Sequence, residues 1–473
     1  MPTLNARQQQ EEGLSSPNGA LNYHPAGLYV WDTWYFTRGD EVHMIHLQKK
    51  RPGSKRPDED DGALGHAVTT DLINWRELPV ALHPGPAGSL DDNELWTGCT
   101  YEHEGRYYLY YTARTLREKG TVQRICLATS EDTIHWKKHP EPVILPDPRW
   151  YASGDCRDLI IQRNSKTGEF HGFYAAALPA KELVDTAAIA HVRSRDLINW
   201  THEPPVFTPK GYGVVEVPDV FYLDSRWWMI CLTGHPYGAR SEFHDPYIVS
   251  GTIYASAKRL EGPYTEESDR VLIGSMEFNG FSCRSVEWKG RRYLFYTQPE
   301  RTDRPDGRPS TLGTTTTPKE LRVTSDKRLV PMYSPLIETR SGKKLMDDPA
   351  LAQLDKIEAW KFGTAGEWQV RGKAIYASSP KSWAARACGP EAENFILTGE
   401  LRLDRGRAIG LLFRAARFFP PTREPVAQSL AVLLDFAEQS VMFTELTWMF
   451  RHDARRVRLE LGRPYRLRVI AKG

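Results

Sequence analysis

The amino-acid sequence predicts an all-β protein, with a five-bladed β-propeller followed by a C-terminal β-sandwich. The propeller prediction depends on two repeats that run in phase along most of the chain. The sandwich prediction depends on a change after about residue 360, where long runs of alternating apolar and polar residues begin. Such alternation is typical of antiparallel strands with one face in a core.

The first repeat is a turn flanked by aromatic-rich strand residues. It occurs five times, with turns centred on Gly39, Gly105, Gly168, Ser225 and Gly290. The second repeat is a strand-like alternation that ends in a Ser/Thr-x-Asp turn before a tryptophan, at 66–75, 127–136 and 191–200, with a degenerate copy at 254–264. Units of about 60 residues with several short strands each are typical of propeller blades. A sandwich has no such period, and solenoid units are shorter.

These patterns divide the chain into four segments. We expect an N-terminal tail over 1–24, the propeller over 25–345, a linker over 346–359 and the sandwich over 360–473. Because the sequence stops at Gly473 directly after a predicted strand, we expect a sandwich that lacks its last strands.

Composition excludes several classes of protein. The chain has 473 residues, of which 40% are hydrophobic and 26% charged, as in soluble globular proteins of two or three domains. No run of about 18 apolar residues is present, so a membrane partner is not expected. The formal net charge is only +2, whereas proteins that bind nucleic acid are usually strongly basic, so a nucleic-acid partner is not expected.

The cysteines and the first residues bear on location. Six cysteines are scattered without a CxxC pair or a zinc-site spacing, so we expect reduced, packed thiols, no metal and no cofactor. Residues 1–24 contain no apolar signal-peptide region. Together these features favour the cytoplasm, with a secreted form left open. The sequence leaves a monomer and a homodimer equally open.

Three acidic residues fall where the innermost strand of a blade would line a central channel. Counting back from the turns makes Asp32, Trp96, Asp158, Glu216 and Phe281 equivalent. The three acids stand in apolar frames (YVWDTWYF, CRDLII, VVEVPDVFY), where burying a charge is costly without a purpose. Converging carboxyl groups suit glycosidic cleavage. A cation site, or acids that only stabilise the blades, remain alternatives.

Four motifs carry a resemblance to a known family. YVWDTWYF with HMIHLQ, LWTGC at 95–99, CRDL at 156–159 and EVPD at 216–219 resemble the motifs of glycoside hydrolase family 32, which is related to families 68 and 43. The sequence departs from that pattern in lacking the Asn-Asp-Pro-Asn-Gly string. Leu159 also replaces the proline of Arg-Asp-Pro, and Val217 replaces the cysteine of Glu-Cys-Pro. The resemblance therefore implies a distant member.

The resemblance implies roles for individual residues. Asp32 would be the nucleophile, Glu216 the general acid/base and Asp158 the transition-state stabiliser. Substrate contacts would come from a further set of residues: Gln48, Trp96, Thr97 and Arg157. The implied activity is hydrolysis of furanosidic linkages in an oligosaccharide or glycoside, β-fructofuranosidase-like and retaining. An inverting arabinofuranosidase or xylosidase of family-43 type, and a non-catalytic glycan-binding propeller, are the alternatives.

Neighbouring residues have two interpretations each. Trp31, Trp34 and Trp96 border the acids and could form a platform for sugar rings, or could be ordinary core. His66 could contact substrate beside the pocket, or belong to the blade. Asp71 lies in the repeated turn, which favours a structural role.

Overall fold

The computed structural model describes the following residues: 22–179, 185–233, 239–240, 248–275, 281–301, 309–345, 355–356, 366–379, 384–387, 392, 394–418, 426–445 and 450–471. The chain divides into two compact units, Met1–Arg340 and Ser341–Gly473. Of the predicted tail only 22–24 are described, and of the predicted linker only 355–356; Gly473, which bears on the truncation, lies outside.

The described residues are nearly all β, which confirms the predicted class. Apart from strands they contain two short 3₁₀ helices, η1 (Asp58–Asp60) and η2 (Pro335–Arg340). No helix in these ranges is long and apolar enough to cross a membrane.

The first unit consists of antiparallel sheets that follow one another along the chain. The first sheet contains β1 (Leu28–Arg38), β2 (Glu41–Lys50), β3 (Leu64–Thr69) and β4 (Arg76–Leu82). The second contains β5 (Trp96–His103), β6 (Arg106–Ala113), β7 (Arg124–Ser130) and β8 (Lys137–Lys138). The third contains β9 (Arg157–Arg163), β10 (Phe170–Ala177), β11 (Ala187–Ser194) and β12 (Thr201–Phe207).

The last two sheets of this unit have additional strands. The fourth contains β13 (Glu216–Leu223), β14 (Arg226–Thr233), β15 (Ala239–Arg240), β16 (Ile248–Ala257) and β17 (Thr265–Ser275). The fifth contains β18 (Phe281–Trp288), β19 (Arg291–Arg301), β20 (Pro309–Thr315), β21 (Lys319–Val323) and β22 (Leu329–Tyr333). Strand β20 also pairs with β1 through Val30 and Gly313, so the fifth sheet and the first are hydrogen-bonded into one nine-stranded sheet.

Packing between the sheets follows a cyclic order. Within the described residues, separate hydrophobic clusters lie between the first and second sheets, the second and third, the third and fourth, the fourth and fifth, and the fifth and first. The first strands β1, β5, β9, β13 and β18 contact one another in the same cyclic order. Each sheet is thus buried against two neighbours, and burying one large apolar side chain stabilises the fold by about 1.5–3 kcal/mol.

The cysteines belong to these clusters. A free, buried thiol is present at each of the described positions: Cys99, Cys126, Cys156, Cys231 and Cys283. Burial raises the pKa of each thiol, which keeps it protonated and inert. The prediction of reduced, packed cysteines is confirmed for these five, and Cys388 lies outside the described residues.

The second unit consists of β-strands, most of which lie in the runs of alternating residues, although residues 355–356 form a short strand within the predicted linker. The strands are β23 (Asp355–Lys356), β24 (Glu367–Arg371), β25 (Ala374–Ser378), β26 (Arg386–Ala387), β27 (Phe395–Arg402), β28 (Ala408–Phe418), β29 (Val426–Asp435), β30 (Ser440–Glu445), β31 (Phe450–Arg456) and β32 (Pro464–Ala471). Strands β28 to β31 form an antiparallel sheet, and β27 pairs with β32. A small core around Leu434, Phe436 and Leu459 packs against residues of both groups.

Candidate active site

A β-bulge recurs in the first strand of every sheet of the first unit. The register shifts by one residue after Trp31, Trp96, Arg157, Glu216 and Phe281. Four residues at these bulges adopt positive φ angles, namely Asp32 (34°), Asp158 (64°), Val217 (49°) and Ser282 (50°). Thr97 occupies the corresponding place in β5. A bulge re-aims side chains, and here it does so at the same position in all five strands.

This register corrects the alignment obtained by counting from the turns. The residue equivalent to Asp32 and Asp158 is Thr97 rather than Trp96, Val217 rather than Glu216, and Ser282 rather than Phe281. The count failed because the turns differ. Gly39 is the first residue of its two-residue turn, whereas Gly105, Ser225 and Gly290 are the second, and six residues connect β9 to β10.

Asp32 is held by three side-chain hydroxyls. Its backbone N–H donates to Thr297 Oγ1 at 3.1 Å. Thr97 Oγ1 donates to Asp32 Oδ2 at 2.5 Å, and the Ser282 hydroxyl donates to Asp32 Oδ1. Removal of water from around the carboxyl raises the pKa of Asp32, and the charge of Glu216 acts in the same direction. The hydroxyl donors oppose this rise because they stabilise the ionised form.

Asp158 has the same backbone arrangement but different carboxylate partners. Its N–H donates to Thr112 Oγ1 at 3.1 Å, as that of Asp32 does to Thr297. The carboxylate Oδ2 accepts the N–H of Val217 at 2.9 Å and lies 3.6 Å from Arg157 Nε. With 2% of the residue exposed, burial is the main cause that raises the pKa of Asp158 to about 7.

Arg157 connects the acids of the third and fourth sheets. Its Nε and Nη2 donate to Glu216 Oε2 at 3.1 and 3.0 Å. Its Nη1 donates to Gln123 Oε1 at 3.1 Å and to Asp155 Oδ1 at 2.5 Å. The neighbouring carboxylates raise the pKa of Arg157 although burial opposes this, so the guanidinium stays charged. Glu216 keeps 30% of its side chain exposed and can meet a ligand.

The three acids are close enough to influence one another. Glu216 raises the pKa of Asp32, and both Glu216 and Asp32 raise the pKa of Asp158. Clustered carboxyl groups of this kind do not all ionise at the same pH, so one can carry a proton while another is an anion. That combination is what acid/base chemistry at a glycosidic bond requires.

The tryptophans divide into two groups. Trp31 and Trp96 are partly buried against the cluster between the first and second sheets. The Arg114 guanidinium lies 3.4 Å from the Trp96 ring centroid. Trp31 directly precedes Asp32 and Trp96 directly precedes Thr97, and both keep part of their surface exposed. Trp34 is core, because it is fully buried and its Nε1 donates to Thr100 Oγ1 at 3.1 Å.

Two predicted substrate contacts lie within the first sheet instead. Gln48 is buried and its Nε2 donates to the backbone carbonyl of Asp60 at 2.9 Å. His66 is buried and its Nε2 lies 2.8 Å from His43 Nδ1. Burial lowers the pKa of His66 to about 3, which keeps it neutral. The hydrogen bond of Gln48 is to η1 and that of His66 is to β2, so neither described bond is to one of the acids.

Asp71 has the structural role that its repeated turn indicates. Its Oδ1 accepts the backbone N–H groups of Ile73 at 2.9 Å and Asn74 at 2.7 Å. Asp132 and Asp196 cap the equivalent turns of the second and third sheets in the same way. The carboxylates therefore close turns rather than meet a ligand.

Three residues of the site were not found from the sequence. Ser282 contacts Asp32 directly, and Gln123 accepts from both Arg157 and the Cys156 N–H. Arg284 is 1% exposed, and its Nη2 donates to the carbonyl of Asp158 at 3.2 Å. Within the described part of the chain, its Nε and Nη1 have no hydrogen-bond partner. The fifth repeat has no acid at its bulge, so a search for acidic residues could not identify Ser282 or Arg284.

A family model matches most of the first unit. The model of the glycosyl hydrolases family 32 N-terminal domain covers residues 41–331, which begins after Asp32 and includes Asp158 and Glu216. A probable sucrose-6-phosphate hydrolase of Psychromonas ingrahamii is 25% identical over 325 residues, 65% of this chain and 52% of that protein. A sucrose-6-phosphate hydrolase of Escherichia coli is 28% identical over 268 residues, 54% of this chain and 50% of that protein.

Solved structures are similar over almost the whole chain. The sucrose-6-phosphate hydrolase from Lactobacillus gasseri superposes with a TM-score of 0.64 at 15% identity, covering 99% of this chain and 88% of that one. A Bombyx mori GH32 beta-fructofuranosidase gives 0.61 at 16% identity, covering 98% and 87%. In sequence, the chain spans about half the length of the curated relatives named above. At these identities the structural likeness concerns the fold alone.

Proposed function

Because the chain belongs to glycosyl hydrolase family 32, we propose that it hydrolyses a β-fructofuranoside with Asp32, Asp158 and Glu216 as its catalytic residues. The observation that carries the proposal is the convergence of these three acids from the first, third and fourth sheets: the Arg157 guanidinium lies between Asp158 and Glu216, and the charge of Glu216 acts on Asp32. Carboxyl groups from separate sheets that interact so closely suit an acid, a nucleophile and a stabiliser acting on one bond.

The fold that brings the acids together is, in this proposal, a five-bladed propeller with a C-terminal sandwich. Its support is the cyclic packing order, in which the fifth sheet returns to the first through a hydrophobic cluster and through strand β20. The bulges of the five first strands would then line one axis. For the second unit, the shared core of Leu434, Phe436 and Leu459 supports two packed sheets.

Each acid has a role that its surroundings suit. Glu216, partly exposed and in contact with Arg157, would protonate the glycosidic oxygen. Asp32, with both oxygens fixed by hydroxyls, would attack the anomeric carbon. Asp158, next to Arg157, would favour the positive charge that develops on the sugar. Water would then release the sugar, with Glu216 as the base.

The other predicted site residues differ in how directly they would act in this proposal. Thr97 and Arg157 contact the acids directly, and we place Trp31 and Trp96, which are only partly buried, at the rim of the site. For Gln48 and His66 the hydrogen bonds to η1 and to His43 favour an indirect role, in fixing β2 and β3.

The substrate class comes from the relatives. Proteins similar to this chain are named sucrose-6-phosphate hydrolase and beta-fructofuranosidase, so we propose sucrose, its 6-phosphate or a fructan as the substrate. The buried, free cysteines support a reducing compartment, such as the cytoplasm.

The experiment is a panel of sucrose, sucrose 6-phosphate, inulin, levan and aryl furanosides, with the first product anomer followed by NMR. We expect β-fructofuranoside turnover and retention of configuration. An inverted first anomer would make Asp32 a base of the family-43 type. Saturable binding without turnover of any glycoside would identify a binding module and overturn the proposed activity.

Replacing the proposed acid tests its assignment. Glu216→Gln should lower kcat on sucrose by at least about 10²-fold, since an amide cannot protonate the leaving oxygen. The loss should be smaller for an aryl furanoside whose leaving group needs no proton. Glu203→Gln is the matched control, because Glu203 pairs with Arg193 in the third sheet, away from the acids. A Glu216→Gln enzyme within a few-fold of wild type would contradict the assignment.

A further inference from the structure

We propose that Ser282, on the fifth sheet, is a positioning residue that orients the Asp32 carboxylate for attack, an inference that rests on the function proposed above. The sequence motifs place no functional residue on that sheet. The contacts of Ser282 nevertheless lead directly to the proposed nucleophile.

Ser282 and Thr97 form a clamp on Asp32, with one residue from each of the two sheets that flank the first sheet. The Ser282 hydroxyl donates to Asp32 Oδ1, and the Thr97 hydroxyl donates to Asp32 Oδ2. Both hydroxyl residues lie at bulges of first strands, and both are buried. Each carboxylate oxygen thus accepts one fixed donor, and the plane of the carboxylate is set by the two strands together.

Hydroxyl donors suit a nucleophile better than charged ones do. A hydrogen bond to an ionised group favours the ionised form, which the surrounding protein otherwise disfavours at Asp32. A neutral hydroxyl does this without forming an ion pair that would weaken attack on carbon. Because Ser282 is completely buried, its hydroxyl has no competing water and stays directed at Asp32.

The backbone at Ser282 permits clean substitutions. Its φ of 50° is close to the 49° of Val217 at the equivalent bulge, so the β-branched side chain of threonine fits this conformation. Ser282→Ala removes only the hydroxyl, and Ser282→Thr keeps it. Ser285 on the same strand provides the control, since its hydroxyl donates to Asp219 Oδ2 at 2.6 Å and neither residue is among the groups that shift the pKa of Asp32.

The test combines kinetics with thermal unfolding. We expect Ser282→Ala to lower kcat by between about tenfold and a hundredfold with KM nearly unchanged, the range for one hydrogen bond to a charged group. The acid limb of kcat/KM should move to higher pH, because the carboxylate loses a donor. Ser282→Thr should restore most of kcat. Ser285→Ala should lower the melting temperature and leave the acid limb in place.

A titration without substrate separates this inference from the proposed function. In protein labelled with [γ-¹³C]aspartate, Asp32→Asn identifies the Asp32 resonance, and its midpoint should rise in Ser282→Ala but not in Ser285→Ala. If the wild type hydrolyses none of the panel, the proposed function fails while the titration still tests the contact. An unmoved midpoint together with an unmoved acid limb would overturn the role of Ser282.

Discussion

The first and third sheets carry the same polar features at the same places. Each has an aspartate at the bulge of its first strand, whose N–H donates to a buried threonine of an adjacent sheet. Each has a buried histidine pair between its second and third strands, His43–His66 and His171–His191. In both, a phenylalanine ring stacks on the pair. The repeated backbone hydrogen bonds and the repeated histidine pairs hold the sheets together.

The two sheets differ at the partners of the aspartate side chains. The Asp32 carboxylate accepts two hydroxyls, whereas Asp158 accepts a backbone N–H and lies beside Arg157. In the proposed roles the nucleophile must remain free to attack carbon, and the stabiliser must be an anion, which the Arg157 charge favours by lowering the pKa of Asp158. In these two sheets the repeated contacts are structural, and the contacts that differ are those of the two carboxylates with proposed catalytic roles.

Removing one carboxylate charge at a time should produce the largest effect. Asp32→Asn should lower kcat/KM on sucrose by about 10⁴-fold or more, as loss of a nucleophile does. Asp158→Asn should cost about 10²–10³-fold, the range for one stabilising group at the transition state. Steady-state kinetics on both variants measures which loss of kcat/KM is larger, with circular dichroism as the folding control. A larger loss for Asp158→Asn would exchange the two roles.

The histidine pairs should make both sheets sensitive to acid. Burial lowers the pKa of His66 and of His191 to about 3, against 6.5 in the unfolded chain. The unfolded state therefore binds more protons below pH 6.5, and the free energy of unfolding should fall as pH falls. Between pH 7 and pH 5 the expected loss is about 2 kcal/mol for each ring. Urea unfolding at both pH values measures it.

Replacing one histidine of each pair tests whether the first and third sheets respond to acid in the same way. His66→Gln and His191→Gln should each reduce the pH dependence of unfolding and leave kcat within about threefold of wild type. A loss of kcat in His66→Gln but not in His191→Gln would indicate that His66 contacts the substrate. Equal unfolding free energies at pH 7 and pH 5 in the wild type would mean that the rings titrate normally in the folded protein.

The turn aspartates should produce the smallest effect. Asp71→Ala and Asp196→Ala should each cost about 1 kcal/mol of stability, as the loss of a capping carboxylate does, with no change in kcat. Thermal unfolding of the two variants measures the cost, and sucrose kinetics provides the control. A loss of activity confined to Asp71→Ala would show that the first turn, unlike the third, meets the substrate.

Local chemistry explains what could be predicted from the sequence. Turn residues and alternation located the strands around Gly105 and Asp71 because those signals depend on neighbours in the chain. The apolar frames drew attention to Asp32, Asp158 and Glu216. The bulge register could not be predicted, since one extra residue in a strand is visible only against its partner. For the same reason Ser282, Gln123 and Arg284 went unnoticed: their importance comes from residues distant in sequence.

The clamp on Asp32 also determines when the site can exist during synthesis. Asp32 and Ser282 are 250 residues apart. At about 5–20 residues per second, a ribosome needs on the order of 10–50 s to travel from one to the other. During that time the first sheet can pair internally while its aspartate has only the partner from the second sheet. The nascent chain can orient Asp32, the proposed nucleophile, only when the fifth sheet has emerged and docked.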